Sequence, residues 1–249
     1  MKKRWAIILA LLLTILIASN FYLFSLNGKV IKNQRETVMI ERVIDGDTIV
    51  LKDGRTLRLL NINSPEKKEK GNNLSSIFLS SFINKSIEAE FLNNDKYNRN
   101  LSRLYSPEYI NLELVRLGLA KKFLVQYSEL KIFANAEEKA IKNEKGIWKK
   151  SAYFDCFKIV LNPKEEIARI DSLCGEINFK NWVIKDESRK SFMFNHLLSN
   201  SITLHSGLGE SEDNLLFWQS KTDIWNNDRD TLYLFDPEGK IALHYSYGY

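Results

Sequence analysis

Histidine is absent from the first 195 residues; the chain carries it only at His196, His205 and His244. Cysteine is scarcer still, with Cys156 and Cys174 alone. A Ser/His or Cys/His nucleophile needs its base within hydrogen-bond reach, so neither scheme is open to the first half of the chain. Nor do two cysteines make a zinc site when no second Cys or His pair lies nearby in sequence. Proline is held to four and glycine to eleven, and no low-complexity tract or internal repeat breaks the sequence. For chemistry in the first half, carboxylate, arginine and metal remain.

The rest is the balance of a folded protein. Hydrophobic residues make up 44% and charged residues 27% of 249 positions, enough for two domains of ordinary size. The net charge of +5 is unevenly spread. Residues 27–150 carry 23 basic and 16 acidic side chains, whereas residues 151–249 carry 10 and 15. A basic middle suits a polyanionic partner, and an acidic end does not.

Lys2, Lys3 and Arg4 precede "WAIILALLLTILIASNFYLFSL", which holds no charge. Such a run reads as a signal peptide or a membrane anchor helix, here residues 1–27. The basic flank puts the start in the cytoplasm and the remainder outside. The chain is then membrane-anchored with extracytoplasmic domains, or secreted if the segment is cleaved. In an exported chain Cys156 and Cys174 are free to pair, closing a loop of about 18 residues worth about 3 kcal/mol. Two buried thiols are the alternative.

Further on, "ETVMIERVI", "DTIVLK" and "RTLRLLNI" read as strands, the last with Leu57 and Leu59 on one face and Leu60 and Ile62 on the other. "LSSIFLSSFI" has helical spacing, "IEAEF" and "NLSRLY" are strands, and "NLELVRLGLA" is a short helix ended near Gly118. A longer helix starts at Ser128 as its cap and runs until Gly146 stops it. Three strands, a helix, two strands and two helices predict a five-stranded barrel capped by helices, of which the OB-fold is the commonest kind. The character changes after about residue 150. "EEIARID", "NWVIKD", "SFMF", "SITLHSG", "NLLFWQ", "DTLYLFD" and "KIALHYSY" are short alternating strands separated by turns, the pattern of a β-sandwich.

Chemistry concentrates in "VIDGDTIVLKDGRTLRLLNINSPE", residues 43–66. Asp53-Gly54 makes a hairpin turn, which sets Asp45 and Asp47 at the start of one strand and Arg58, Asn63 and Glu66 along the next. Carboxylates beside arginines fit phosphodiester hydrolysis: oxygen ligands hold a hard cation, a carboxylate activates water, and guanidinium groups take up phosphoryl charge. Arg58 lies in an apolar strand, where an unpaired guanidinium is expensive. Strand parity puts Arg58 and Asn63 on opposite faces, so a bend before Pro65 is needed to bring them together. Bland readings stand beside these: Asp45 serves the turn, Tyr97 is a barrel-rim aromatic, and Arg99 is a solvated loop charge.

"VIDGDTIVL", "RLLNINSPE", "DKYNRNLSRLY" and "NLELVRLGLAK" together resemble the thermonuclease, or staphylococcal-nuclease-like, family over residues 36–150. The resemblance implies an OB-fold nuclease that uses calcium to cleave DNA or RNA. It makes Arg58 and Arg99 the phosphate-binding arginines, Glu66 the general base and Asp47 a metal ligand with the Ser64 carbonyl nearby. Lys96 and Tyr97 would hold a terminal phosphate. The family pattern has aspartate where this chain has Asn63, an uncharged metal ligand, which weakens calcium binding and leaves room for another divalent cation. Of tyrosines to stack on a base, "KFLVQY" offers only Tyr127.

"INFKNWVIKDES", "SITLHSG" and "IWNNDRDTLYLFDPEGKIALHYSY" resemble a lamin-tail domain, an immunoglobulin-like sandwich, here residues 156–249. Its Asn226, Asn227, Asp228 and Asp230 suit turns and a strand start; Trp182, Trp218 and Trp225 suit a core. The three histidines have no ligand spacing. The expectation is a nuclease positioned by an interaction domain of unknown ligand. The rival is a binding protein on the same folds, poor in metal because of Asn63, holding nucleic acid or protein without cutting it.

Overall fold

The computed structural model describes residues 13–17, 19–20, 35–67, 69–195 and 198–249. The chain divides after Gln34 into two units. Of the first, residues 13–17 and 19–20 are described and helical. The rest of the expected anchor lies outside the described residues, as does His196. Among the described residues no helix is long and apolar enough to cross a membrane.

The second unit opens with a barrel. Its elements are β1 (Arg35–Val43), β2 (Thr48–Leu51), β3 (Thr56–Leu59), β4 (Ile62–Asn63), α1 (Asn72–Ser80), β5 (Ser86–Asn94), β6 (Asn100–Ser106), β7 (Glu108–Tyr109), α2 (Ile110–Arg116), β8 (Lys121–Lys122) and α3 (Leu130–Lys142). The sheet runs β3-β2-β1-β5-β6-β7, and a parallel pairing of β3 with β6 closes five strands on themselves. This is the OB-type barrel that the element order predicts. β2 is buried along its whole length, and Val38, Ile40, Ile49, Leu57, Leu59 and Leu104 fill the interior. At the hairpin, Gly54 adopts φ +88° and its N–H reaches Leu51 O at 2.9 Å.

Two boundaries differ from the sequence reading. "RTLRLLNI" is two strands, broken at Asn61, whose φ of +67° turns the chain. Asparagine tolerates that left-handed region; here its side chain donates to Glu129 Oε2 at 2.7 Å and accepts from Gln126 N at 3.0 Å. Helix α3 begins after a 3₁₀ turn at Tyr127–Glu129, with Glu129 rather than Ser128 at the cap position and no side-chain cap bond. It ends at Lys142, short of Gly146.

Beyond the barrel lie β9 (Phe157–Asn162), β10 (Ile167–Ser172), β11 (Ile177–Asn178), β12 (Val183–Lys185), β13 (Ser191–Met193), β14 (Leu198–Ser199), β15 (Ser201–His205), β16 (Leu215–Phe217), β17 (Asp230–Phe235) and β18 (Ile241–Tyr247). Sheets β16-β15-β10-β9 and β13-β12-β17-β18 contribute Ala168, Ile170, Ile184, Leu204, Leu232 and Leu234 to one sandwich core. Trp182 and Trp225 are buried in it, and Trp218 is half-buried against it. Cys156 and Cys174 are disulfide-bonded, with Cα atoms 5.4 Å apart.

Barrel and sandwich share a third apolar cluster: Ala140, Ile141, Trp148, Tyr233 and Ile241. Within the joint, Lys122 Nζ donates to Thr231 Oγ1 at 2.6 Å, and Tyr233 OH donates to Glu137 Oε1 at 3.0 Å. The two halves are thus packed as one body.

Candidate active site

The β1–β2 connection is shaped by its aspartates. Asp47 N donates to Asp45 Oδ1 at 3.0 Å, an Asx turn that gives Asp45 the turn role. Gly46 between them has no space for a side chain: a Cβ there would lie 2.6 Å from the Cβ atoms of both Ser64 and Ser75. That close approach seats Asp47, 3% exposed, beneath β4. Ser64 turns its N–H and hydroxyl to Asp47 Oδ2, at 2.8 and 3.0 Å.

The left-handed turn at Asn61 supplies the bend that strand parity demands. Arg58 Nη2 donates to Asn63 Oδ1 at 3.2 Å, while Arg58 Nε stands 3.2 Å from Asp47 Oδ1 and Nη1 donates to Leu59 O at 2.6 Å. Burial pushes the Arg58 pKa down, Asp47 opposes this, and Arg189 and Arg99 add to it. Burial also raises Asp45, helped by Asp47.

Arg99 comes from the loop before β6. Asp95 organises that loop, accepting Tyr97 N at 2.9 Å and Arg99 N at 3.0 Å on Oδ1 and Arg99 Nε at 2.8 Å on Oδ2. Burial would raise Asp95, but these hydrogen bonds outweigh it and its pKa falls. Arg99 Nη1 then reaches Thr48 Oγ1 at 3.3 Å.

These groups share one cavity of about 810 Å³, lined by Asp45, Asp47, Arg58, Asn63, Ser64, Glu66, Tyr97 and Arg99 among others. Lys96 is not part of that lining; its Nζ lies 5.0 Å from the centre of the Tyr97 ring. Tyr127 points elsewhere: its hydroxyl donates to Asp228 Oδ2 at 3.3 Å and its ring lies under Arg229. Glu66 is exposed at the rim.

Sequence reasoning missed one member of the cavity wall. Arg189, in the loop between β12 and β13 of the sandwich, reaches across with its guanidinium. Nη1 donates to Glu66 Oε1; Nη2 donates to Asn63 Oδ1 and, at 3.3 Å, to Asp47 Oδ2. In the sequence it is one basic residue in "KDESRKS", and no spacing marks it. Glu69 and Lys70 add further ties to the sandwich, through a Glu69–Lys185 ion pair and a Lys70 contact to Glu238 O.

The donor set decides whether a divalent cation fits. Among the described residues no three His, Cys, Asp or Glu side chains are grouped to hold a metal ion. Asp47, Asn63 and Glu66 do converge, but the point they face is taken by the Arg189 guanidinium, with Arg58 beside it. Two unit charges about 4 Å apart repel by about 4 kcal/mol at an effective dielectric near 20. A dication beside two guanidiniums meets more than that. With Arg189 in place the oxygens of Asp47, Asn63 and Glu66 are already engaged, and a cation must displace its guanidinium to reach them.

A closed five-stranded barrel whose mouth gathers guanidiniums and carboxylates defines an OB-type protein with a charged cleft. Residues 56–150 match the family of staphylococcal nuclease homologues. An "Uncharacterized endonuclease" of Escherichia coli O157:H7 is 31% identical over 115 residues, covering 44% of this chain and 74% of that protein. The "Thermonuclease" of Staphylococcus intermedius is 30% identical over 130 residues, 46% and 77% of the two chains, and that of Staphylococcus hyicus 30% over 128 residues, 45% and 76%. The chain belongs to the staphylococcal nuclease homologue family.

Proposed function

We propose that the protein is an endonuclease that hydrolyses phosphodiester bonds of DNA, RNA or both. One observation carries this: Arg58, Arg99 and Glu66 open into a single cavity at the mouth of the barrel. Arg58 and Arg99 are each fixed by a carboxylate, Asp47 and Asp95, and each retains N–H groups for phosphoryl oxygens. Glu66 at the exposed rim takes a proton from water as that oxygen bonds to phosphorus. The opposite P–O ester bond breaks, its electron pair leaves with the ester oxygen, and solvent protonates that oxygen. Asp47 and Ser64 hold Arg58 and the β4 turn in register. The calcium that the family resemblance implies enters no step here, because the cation position is filled.

The barrel, residues 36–150, is the catalytic domain in this reading. The sandwich, residues 156–249, is a lamin-tail-like domain that also docks on the cleft. The uncharged run at the N-terminus and the Cys156–Cys174 disulfide support an extracytoplasmic, exported or membrane-tethered enzyme.

The test follows degradation of single-stranded DNA and RNA by the full chain and by Glu66→Gln, with calcium, with magnesium and with chelator. Cutting that drops by about two orders of magnitude or more in the variant supports the assignment. A folded wild type that retards nucleic acid yet cuts none overturns it in favour of a binding surface.

A further inference from the structure

The contact that excludes a metal is itself built. Arg189 adopts φ +81°, a region that non-glycine residues enter only when their surroundings hold them there. Its loop is pinned on both sides: Glu187 N donates to Asp230 Oδ1 at 3.3 Å, Asp186 N donates to Lys190 O at 3.1 Å, and Lys190 Nζ donates to Asp223 O at 2.5 Å. Glu187 O in turn accepts from Asn63 Nδ2 at 3.4 Å, so loop and cleft are bonded through the backbone as well.

The oxygens that receive Arg189 come from three places in the barrel: Asp47 before β2, Asn63 on β4 and Glu66 after it. Asp47 is buried and its negative charge needs a permanent partner. Arg58 already faces Asp47 Oδ1, and Arg189 bridges Asp47 Oδ2 and Glu66, so two guanidiniums meet two carboxylates and the set is balanced without a further cation. Asn63 fits the same logic, because an amide oxygen accepts from two guanidiniums without adding charge. The Nε of Arg189 is buried and has no hydrogen-bond partner among the described residues, a donor left over on the cavity wall.

We propose that Arg189 is the resident cation of the cleft. The positive charge that holds Asp47 and faces a bound phosphate is then a guanidinium from the sandwich, and the sandwich completes the active site. This rests on the nuclease reading above for its substrate, and on the cleft geometry alone for its cation. Cleavage therefore does not depend on added divalent metal, and calcium binds only when Arg189 is removed.

The experiment compares the full chain with Arg189→Gln and Arg189→Lys, each shown to be folded by its thermal midpoint. Calcium titration by calorimetry is read beside single-stranded DNA cleavage in chelator. The expected result is wild-type cleavage in chelator, a loss of about a hundredfold in Arg189→Gln, an intermediate rate in Arg189→Lys, and calcium binding at least about tenfold tighter in Arg189→Gln than in wild type. Equal calcium affinity in wild type and Arg189→Gln overturns the proposal. So does faster cutting by Arg189→Gln, which marks Arg189 as a plug. If no form cuts single-stranded DNA or RNA, in chelator or with calcium, but calcium affinity still rises in Arg189→Gln, the nuclease reading fails and the cation assignment stands. Cutting by wild type only with calcium overturns the proposal.

Discussion

Lys122 Nζ lies 2.6 Å from Glu137 Oε2, and both side chains are sealed from water. One residue sits on β8 and the other on α3, and Tyr233 and Thr231 of the sandwich sheet close over them. Burial alone would raise the Glu137 pKa, yet Lys122 and His244 outweigh it and hold it at about 2. Breaking the pair by Glu137→Ala strands an ammonium ion in the joint, at a cost of about 3–5 kcal/mol. The double change Lys122→Met with Glu137→Gln removes both charges and loses less than Glu137→Ala alone. Urea unfolding of the three forms checks the order.

The loop that carries Arg189 begins at Asp186, a residue 1% exposed whose Oδ1 has no hydrogen-bond partner among the described residues. Burial pushes its pKa from 3.8 to about 6, Asp230 adds to this, and the Ser188 hydroxyl and Lys190 oppose it. A raised carboxylate favours the folded state while protonated. Its contribution is full below pH 3.8 and lost as pH rises through 6. The shift corresponds to at most about 3 kcal/mol. Asp186→Asn should be more stable than wild type at pH 7.5 and gain little at pH 4. Parallel stability–pH curves for the two would refute this.

Space at Gly46 is nil, so Gly46→Ala must push Ser64, which follows β4, and Ser75 of α1 away from the Asp47 loop. We expect a loss of about 1–3 kcal/mol in stability, the usual cost of overpacking. Cleavage should fall further than stability does, because the displaced atoms are those that position Asp47 and Arg58. Rates measured well below the unfolding midpoint separate the two effects.

Asp95 presents Arg99 by accepting its N and Nε, and holds the loop by accepting Tyr97 N. Asp95→Asn keeps the size and one acceptor but gives up the charge. Its effect should be about a tenfold drop in kcat/KM, with little change in thermal midpoint. Steady-state kinetics on single-stranded DNA test this, and an unchanged kcat/KM refutes the positioning role.

The barrel strands could be read from the sequence because apolar residues alternate in β3 and run unbroken through β2 between turn residues. The break at Asn61 could not. It interrupts an unbroken apolar run, and the groups that hold its turn, Gln126 and Glu129, lie far along the chain. Strand β9 went unread because "FKIVLN" is only partly buried and shows no clean alternation. Most of the cleft was legible, since Asp47, Arg58, Asn63 and Glu66 fall within one hairpin and its exit. Arg189 was invisible for the opposite reason. Its place follows from how the sandwich docks on the barrel, a property of neither sequence segment alone.

Residue 189 is also late in time. A chain is made from its N-terminus, and domains fold roughly in the order they emerge. The barrel can close while the β12–β13 loop is still unmade, but its cleft then lacks a third guanidinium and the joint has no lid over Lys122 and Glu137. In a chain made in that order, the oxygens of Asp47, Asn63 and Glu66 meet no guanidinium from the sandwich until the β12–β13 loop and the strands that dock it have emerged.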